Sequence, residues 1–573
     1  MFRLAVLVAL AVGPAARAAD PPDPLRFVPA AAQLVVKVED PRQLAEAVAG
    51  LDAVKGAREL APVRAVLDAP TARRGFQVLA HLERELGAAW PALLDQLGGG
   101  GVVLATTFAA DPAPVLLVLQ GTDEAAAEKA FDRLVRMLDD ELARRGAKER
   151  VVRAAKPWGE TARAGDGLHA ARRGAAVLVS NKADGLAAAL DAAANPAAAV
   201  ATRKSLRAAS ALLPKNPLAW LWIDFAAVKE SKATKDFFDA TRNDFLQTLV
   251  IGGTVDCLRR SDYVAAGLYR EPTGFRLAVR LPAGRNGFPE EFALHAPPAG
   301  TPGSLPPLEP AGVLYSQSFY LDLGYYWTHR AKLVNAEMLK QFEEGEKAAS
   351  KVLPGSVKLG ELLAAWGSYH RLVAVNQDAL PYATKPGQVL PGFGYVTTAA
   401  DPKFGKALDA TLRSAGLLAS LQYGLKQAEV EHAGAKIVAW RFPENKPFPD
   451  DADGLRFNFE PCYAVVGDQV IAASTVEVCK KLIAEVKRTA TQPGGPAVWR
   501  GTGYAAGGGD AIAGVSDPFV TDAILRGGVG IEAARKQVAA LAGWLKTLGT
   551  LRIEIDTTAT EYRFDVVWEY QKD

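Results

Sequence analysis

Two distant stretches of this chain follow one order of elements: apolar strand, two-residue turn with glycine, apolar strand, Ser, helix. The first is GLHAARRGAAVLVSNKADGLAAAL, turning at Arg173-Gly174. The second is PCYAVVGDQVIAASTVEVCKKLI, turning at Gly467-Asp468. Strands joined by so short a turn pair antiparallel. Matching elements surround both stretches. Gln33–Glu39 and Gly312–Phe319 read as opening strands that feed helices. Val102–Phe108 and Val115–Gln120 precede a helix over 123–145 whose apolar residues, including Phe131, Leu134 and Leu138, recur at helical spacing. Their counterparts are Arg371–Val375, Val389–Thr397 and DPKFGKALDATLRSAG. Each series closes on an alternating hairpin, through Phe275, Leu277 and Val279 in one and Leu551, Ile553, Ile555, Tyr562, Phe564, Val566 and Trp568 in the other. Matching elements are offset by roughly 270 to 290 residues, which points to a tandem duplication.

The expected fold class is α+β: two related halves, each a mainly antiparallel sheet with helices packed on one face. The chain has 573 residues, too many for one ordinary core. The expected division is a signal peptide (1–18), a first α+β half (19–282), a Pro/Gly-rich linker (283–310) and a second α+β half (311–573).

Arg3, the apolar run Leu4–Val12 and Ala16-Arg17-Ala18 compose a secretory signal too short to span a bilayer. Export to the periplasm or the extracellular space is the expectation. Cleavage after Ala18 removes Arg3 and Arg17, which leaves 64 basic residues, 66 less two, against 64 acidic ones. A balanced chain offers no electrostatic case for nucleic acid. Later apolar stretches are interrupted, Gly98–Leu119 by Asp111, Pro112 and Pro114, so no transmembrane segment is expected after cleavage. Export permits disulfides. Of Cys257, Cys462 and Cys479, the last two sit on a strand and the helix that follows it. A bridge between them would close about 17 residues and contribute roughly 3 kcal/mol; two separate buried thiols is the alternative.

Motifs that carry chemistry are incomplete. LGGGGVVLATTF (97–108) places its glycines before a strand and lacks the Lys-Ser/Thr of a phosphate loop, so it reads as a flexible strand entry. Gly528, Gly530 and Ala533 fit GxGxxA with Asp556 downstream, but a helix precedes them and only 17 residues follow Asp556. Ser516 in GVSDP has Pro518 where a nucleophile elbow needs glycine. The histidines (81, 169, 295, 329, 370, 432) form neither HxH nor HExxH, and three cysteines without CxxC spacing do not build a zinc site. Asp139, Asp140 and Glu141 read as a solvated helix face. No catalytic, cofactor or metal residue is assigned. Trp220 and Trp222 alternate with Leu221 and Ile223 on a strand apolar on both faces. Tyr320, Tyr325, Tyr326 and Trp327 form an aromatic cluster suited to a ligand or partner contact, with packing as the plainer role.

The segments FVPAAAQLVVKVEDPRQL, GLHAARRGAAVLVSNKADGL and LPKNPLAWLWIDFAAV resemble a family of exported bacterial proteins catalogued as a domain of unknown function. That resemblance implies export and a repeated α+β build, and it transfers no catalytic residue. The expected function is a non-catalytic binding or scaffold role in the cell envelope, with an envelope protein as partner. The alternative is a carrier or sensor of an apolar ligand held against a sheet. A hydrolase with residues scattered in sequence comes third.

Overall fold

The computed structural model describes residues 21–570 apart from 109–111, 145, 166, 231, 241–243, 353–357, 402–403, 449–450 and 452. The proposed signal peptide lies outside the described residues. The chain is mixed α and β, with antiparallel strand pairing throughout the described ladders. It divides into two compact units. Residues up to Ala49 with Asp68–Asp224 form one, and Gly50–Leu67 with Phe225 onward form the other.

The first unit holds β1 (Leu34–Val38), β2 (Val102–Thr106), β3 (Val115–Gln120), β4 (Val152–Lys156), β5 (Gly159–Ala164), β6 (Leu168–Arg173), β7 (Ala176–Ser180) and β8 (Ala219–Asp224). They pair in the order β8-β1-β2-β3-β7-β6-β5-β4. Alternation divides their side chains between two faces. The helix Glu124–Arg144 packs Ala127, Phe131 and Val135 on Leu119, Val177 and Val179. The helix Ala183–Ala194 lies on the other face, where Gly185 and Ala188 share a cavity wall with Ala105 and Leu116.

The second unit holds β9 (Tyr263–Glu271), β10 (Gly274–Leu281), β11 (Val313–Tyr320), β12 (Trp366–Val375), β13 (Gly392–Ala399), β14 (Lys426–His432), β15 (Ala435–Arg441), β16 (Cys462–Val466), β17 (Gln469–Ala473), β18 (Trp499–Tyr504), β19 (Thr550–Thr557) and β20 (Tyr562–Glu569). Their order is β9-β10-β20-β19-β18-β11-β12-β13-β17-β16-β15-β14. The helix Val476–Thr489 packs Cys479, Leu482, Ile483 and Val486 on Val396, Ile437 and Ile471. The helix Phe404–Tyr423 packs Leu408 on Val470, and Leu412 beside Val438, Trp440 and Tyr463. Ile437 and Val438 are neighbours and so point to opposite faces.

Helices therefore cover both faces of these ladders, which corrects the expectation of one covered face. The cause is visible in AKIVAWR, where both alternating sets are apolar and both need burial. The Pro/Gly-rich stretch 283–310 also packs. Leu294 and Leu308 are fully buried, Ser304 bridges to Gly495, and Arg371 reaches the Pro306 carbonyl at 3.4 Å. Arg371 is itself buried, and loss of solvent lowers its pKa to about 10.

Candidate functional site

The site grows from the alternation of five neighbouring strands in the second unit, β10, β20, β19, β18 and β11. The ladder registers set three rows across one face. The first is Phe275, Trp568, Leu551, Gly503 and Tyr315. The second is Leu277, Val566, Ile553, Gly501 and Gln317, and the third Val279, Phe564, Ile555, Trp499 and Phe319. The opposite face carries charge. Asp565 takes Arg276 at 3.0 Å and Arg280 at 3.1 Å, and Glu554 takes Arg500 at 3.1 Å and Arg552 at 3.5 Å.

The apolar face is closed at one end. There the helix Phe245–Arg260 brings Cys257 onto Leu281 and Tyr562, with Ile555 and Phe564 beside them. Burial pushes the Tyr562 hydroxyl and the Cys257 thiol up to about 12, so both stay protonated. Further along, the face opens: Leu277 is 38% exposed and Leu551 46%. A cavity of about 420 Å³ lies over that end. Its wall is made by Gly503, Tyr504, Leu548, Leu551 and Trp568, with Leu314 and Ala505. That volume falls within the range of small-molecule sites, roughly 300 to 1,000 Å³.

Local chemistry shapes this cavity. The Trp568 indole donates its N–H to the Leu548 carbonyl at 2.6 Å, so its polar edge is already satisfied. Its ring stacks on Phe275 at 6.3 Å, and the Arg270 guanidinium lies 5.0 Å over Phe275. Gly501 and Gly503 alternate onto this face but differ in what overhangs them. A Cβ on Gly501 would stand 2.6 Å from the Trp499 ring and 2.9 Å from the Tyr315 hydroxyl; one on Gly503 would meet only the Leu551 carbonyl, at 3.9 Å. The cavity thus opens where the strand lacks a side chain and no neighbour fills the gap. Tyr504 donates to the Glu309 carboxylate at 2.6 Å, and burial followed by that acceptor raises its pKa. None of the lining residues is a carboxylate, imidazole or thiol. The arrangement is equipped to hold an apolar group.

A second cavity, of about 280 Å³, belongs to the first unit and is lined by Pro29, Ala32, Ala105, Leu116 and Ala188, with Asp184 its charged member.

The aromatic cluster lies elsewhere. Tyr320 is buried with its ring edge against Tyr369 at 5.4 Å. Tyr326 is buried among Phe292, Leu294 and Leu333. Tyr325 stacks on His329 at 4.0 Å and donates to the Glu290 carbonyl, while Arg330 lies 4.1 Å over Trp327. Neither cavity above is lined by these four residues. Cys462 and Cys479 are both buried in one core, with no bond drawn between them.

The remaining candidates take structural positions. Gly528 is the left-handed C-cap of one helix and Gly530 the N-cap of the next. Asp556 follows on β19, which pairs antiparallel with both neighbours, so no dinucleotide crossover forms. Ser516 begins a helix. His370 stacks on Tyr395, with one ring nitrogen at the Leu321 carbonyl (2.9 Å) and the other at the Tyr395 hydroxyl (2.7 Å). The glycine run is a close-packed corner rather than a flexible entry. Gly100 donates to the Gln120 carbonyl at 2.8 Å, a Cβ there would stand 2.6 Å from the Gln120 side chain, and Gly101 has φ +107°. Among the described residues, no group of three or more His, Cys, Asp or Glu is placed to hold a metal ion, and no helix is long and apolar enough to cross a membrane.

Sequence reasoning found both hairpins of the apolar face and missed that β10 pairs with β20, which joins them. The signal for the cavity was WRGTGY, two glycines at strand spacing beside an aromatic residue. No protein family, no curated protein and no solved structure matches the chain.

Proposed function

We propose that this chain is an exported binding protein for an apolar small molecule, which it holds over the β10-β20-β19-β18 face. The observation that carries this reading is the 420 Å³ cavity at Gly503, with its floor of Leu551 and Trp568 and its satisfied indole N–H. The opposite face of the same strands is occupied by ion pairs, so ligand contact belongs to the apolar side. Export rests on the N-terminal signal. A tandem duplication fits the strand orders: β8-β1-β2-β3-β7-β6-β5-β4 recurs as β18-β11-β12-β13-β17-β16-β15-β14. A duplicated scaffold with unequal cavities suits a protein whose copies diverged in what they hold.

The test uses the full chain purified from the exported fraction. Its organic extract is analysed by mass spectrometry, and the stripped protein is titrated with N-phenyl-1-naphthylamine, a neutral apolar probe. Co-purified apolar compound and saturable probe binding, both lost in Leu551→Asp, are expected. A clean extract together with non-saturating probe signal overturns the reading. A scaffold role is the second reading. It is favoured by the helix Phe404–Tyr423, which presents Leu417, Leu418 and Leu421 at 62%, 57% and 78% exposure. If that role holds, Leu421→Glu abolishes cross-linking to an envelope protein and leaves probe binding intact.

A further inference from the structure

Cys462 opens β16, and Cys479 sits one turn into the helix Val476–Thr489 that packs on the same strands. Folding brings them into one core with Val396, Ile437, Ile471 and Leu482. Cys479 is the neighbour that acts on the Cys462 thiol, and that thiol points at the Ala473 carbonyl, 3.6 Å from its sulfur. Cys479 is fully buried and Cys462 nearly so. The third cysteine, Cys257, belongs to a different cluster, under Leu281 and Tyr562.

We infer that Cys462 and Cys479 are a disulfide-forming pair that closes while the exported chain folds, before the 476–489 helix docks. Two physical facts set the order. First, disulfide exchange needs a thiolate and an open line of attack. Second, the docked core supplies neither: both sulfurs are shut away from solvent, and the neighbouring Cys479 and burial hold the Cys462 thiol above its ordinary range. The oxidant is a small or protein-borne disulfide, represented by oxidised glutathione. The thiolate of one cysteine attacks that disulfide and releases one reduced glutathione. The second cysteine then attacks the mixed disulfide and releases another. One S–S bond breaks and one forms, the pair loses two electrons to the glutathione disulfide, and the two thiol protons end on the two glutathione thiols. Once the helix docks, whichever state the chain folded in is retained.

The inference rests on the export reading for its oxidising compartment, and the experiment separates the two. The full chain recovered after export is denatured, alkylated without reductant and mapped by mass spectrometry. A linked Cys462–Cys479 peptide and an alkylated Cys257 are expected. In a second arm, the reduced, unfolded chain is refolded in oxidised and reduced glutathione, and the same linkage is expected without any export. In a third, the reduced native chain is exposed to oxidised glutathione, and linkage should form at least tenfold more slowly than during refolding. Refolded protein with both thiols free, or with a linkage through Cys257, overturns the pairing. Native oxidation as fast as refolding overturns the order of events. Linkage on refolding but not after export overturns export and leaves the pair standing.

Discussion

Gly503→Val sets stability and binding against each other. Gly503 lies on β18 between Tyr315 and Leu551, and the space beside it is open to 3.9 Å. Its backbone is not in the left-handed region, so a β-branched residue fits without strain. Glycine within a strand is the costly choice, and valine should stabilise the second unit by about 1 kcal/mol, or about 2 °C in Tm for a domain this large. The added carbons, however, enter the cavity. Displacing three methylene-sized contacts from a bound apolar ligand costs about 2 kcal/mol, roughly 30-fold in Kd. The assays are thermal melting followed by tryptophan emission and probe titration on the same preparation. Gly501→Val is the control, because the Trp499 ring at 2.6 Å blocks it; overpacking there costs about 1 to 3 kcal/mol. A Gly503→Val protein that melts higher but binds the probe unchanged refutes the placement of the site. One that melts lower refutes the claim that the space is open.

Asp565→Ala leaves Arg280, 4% exposed, without its carboxylate. It should cost about 3 to 5 kcal/mol in urea unfolding of the second unit, and Arg280→Met with Asp565→Leu should recover most of that loss. His295 is partly buried, and loss of solvent around its ring lowers its pKa to about 4 from 6.5. The unfolded chain therefore takes the proton first: stability is intact above pH 6.5 and falls as pH drops towards 4, by about 3 kcal/mol from this group. His295→Asn, whose amide can still donate to the Thr248 carbonyl, should flatten that limb of the pH–stability curve; an unchanged slope counts against it. Gly101→Ala meets φ +107° and should destabilise the first unit by about 1 to 3 kcal/mol in the same unfolding assay.

Much of the fold was legible because turn chemistry and alternation are local. Gly467 at φ +63° and Gly174 at φ +61° are the turn residues the sequence indicated. Two hairpins escaped, Val152–Ala164 and Lys426–Arg441, each directly after a long helix. Their outer strands alternate weakly or not at all: β4 is exposed along its length, so VRAAK has no buried face to leave a period in the sequence. Helix placement was less legible still. A strand apolar on both faces says that two layers cover it, not which segments supply them. The helices that do so in the second unit, 404–423 and 476–489, flank β14 to β17 in sequence and sit on opposite sides of them.

The cavity shows where local patterns stop. Alternation through Leu551, Ile553 and Ile555 assigns those residues to one face, and register carries that face through Gly501 and Gly503. From sequence the two glycines are equivalent: the same strand, the same face, two residues apart. They part only in three dimensions. Trp499 lies next to Gly501 on that face and folds its ring into the missing volume, with the Tyr315 hydroxyl alongside, while nothing reaches Gly503. A vacant position on an apolar sheet loses dispersion contacts along its whole lining. Here the loss is concentrated beside Leu551 and Trp568, two large apolar side chains with unspent surface. An apolar ligand restores those contacts, and a valine at residue 503 restores part of them from within. Both compete for one volume, which is why raising stability and weakening binding should be the same substitution.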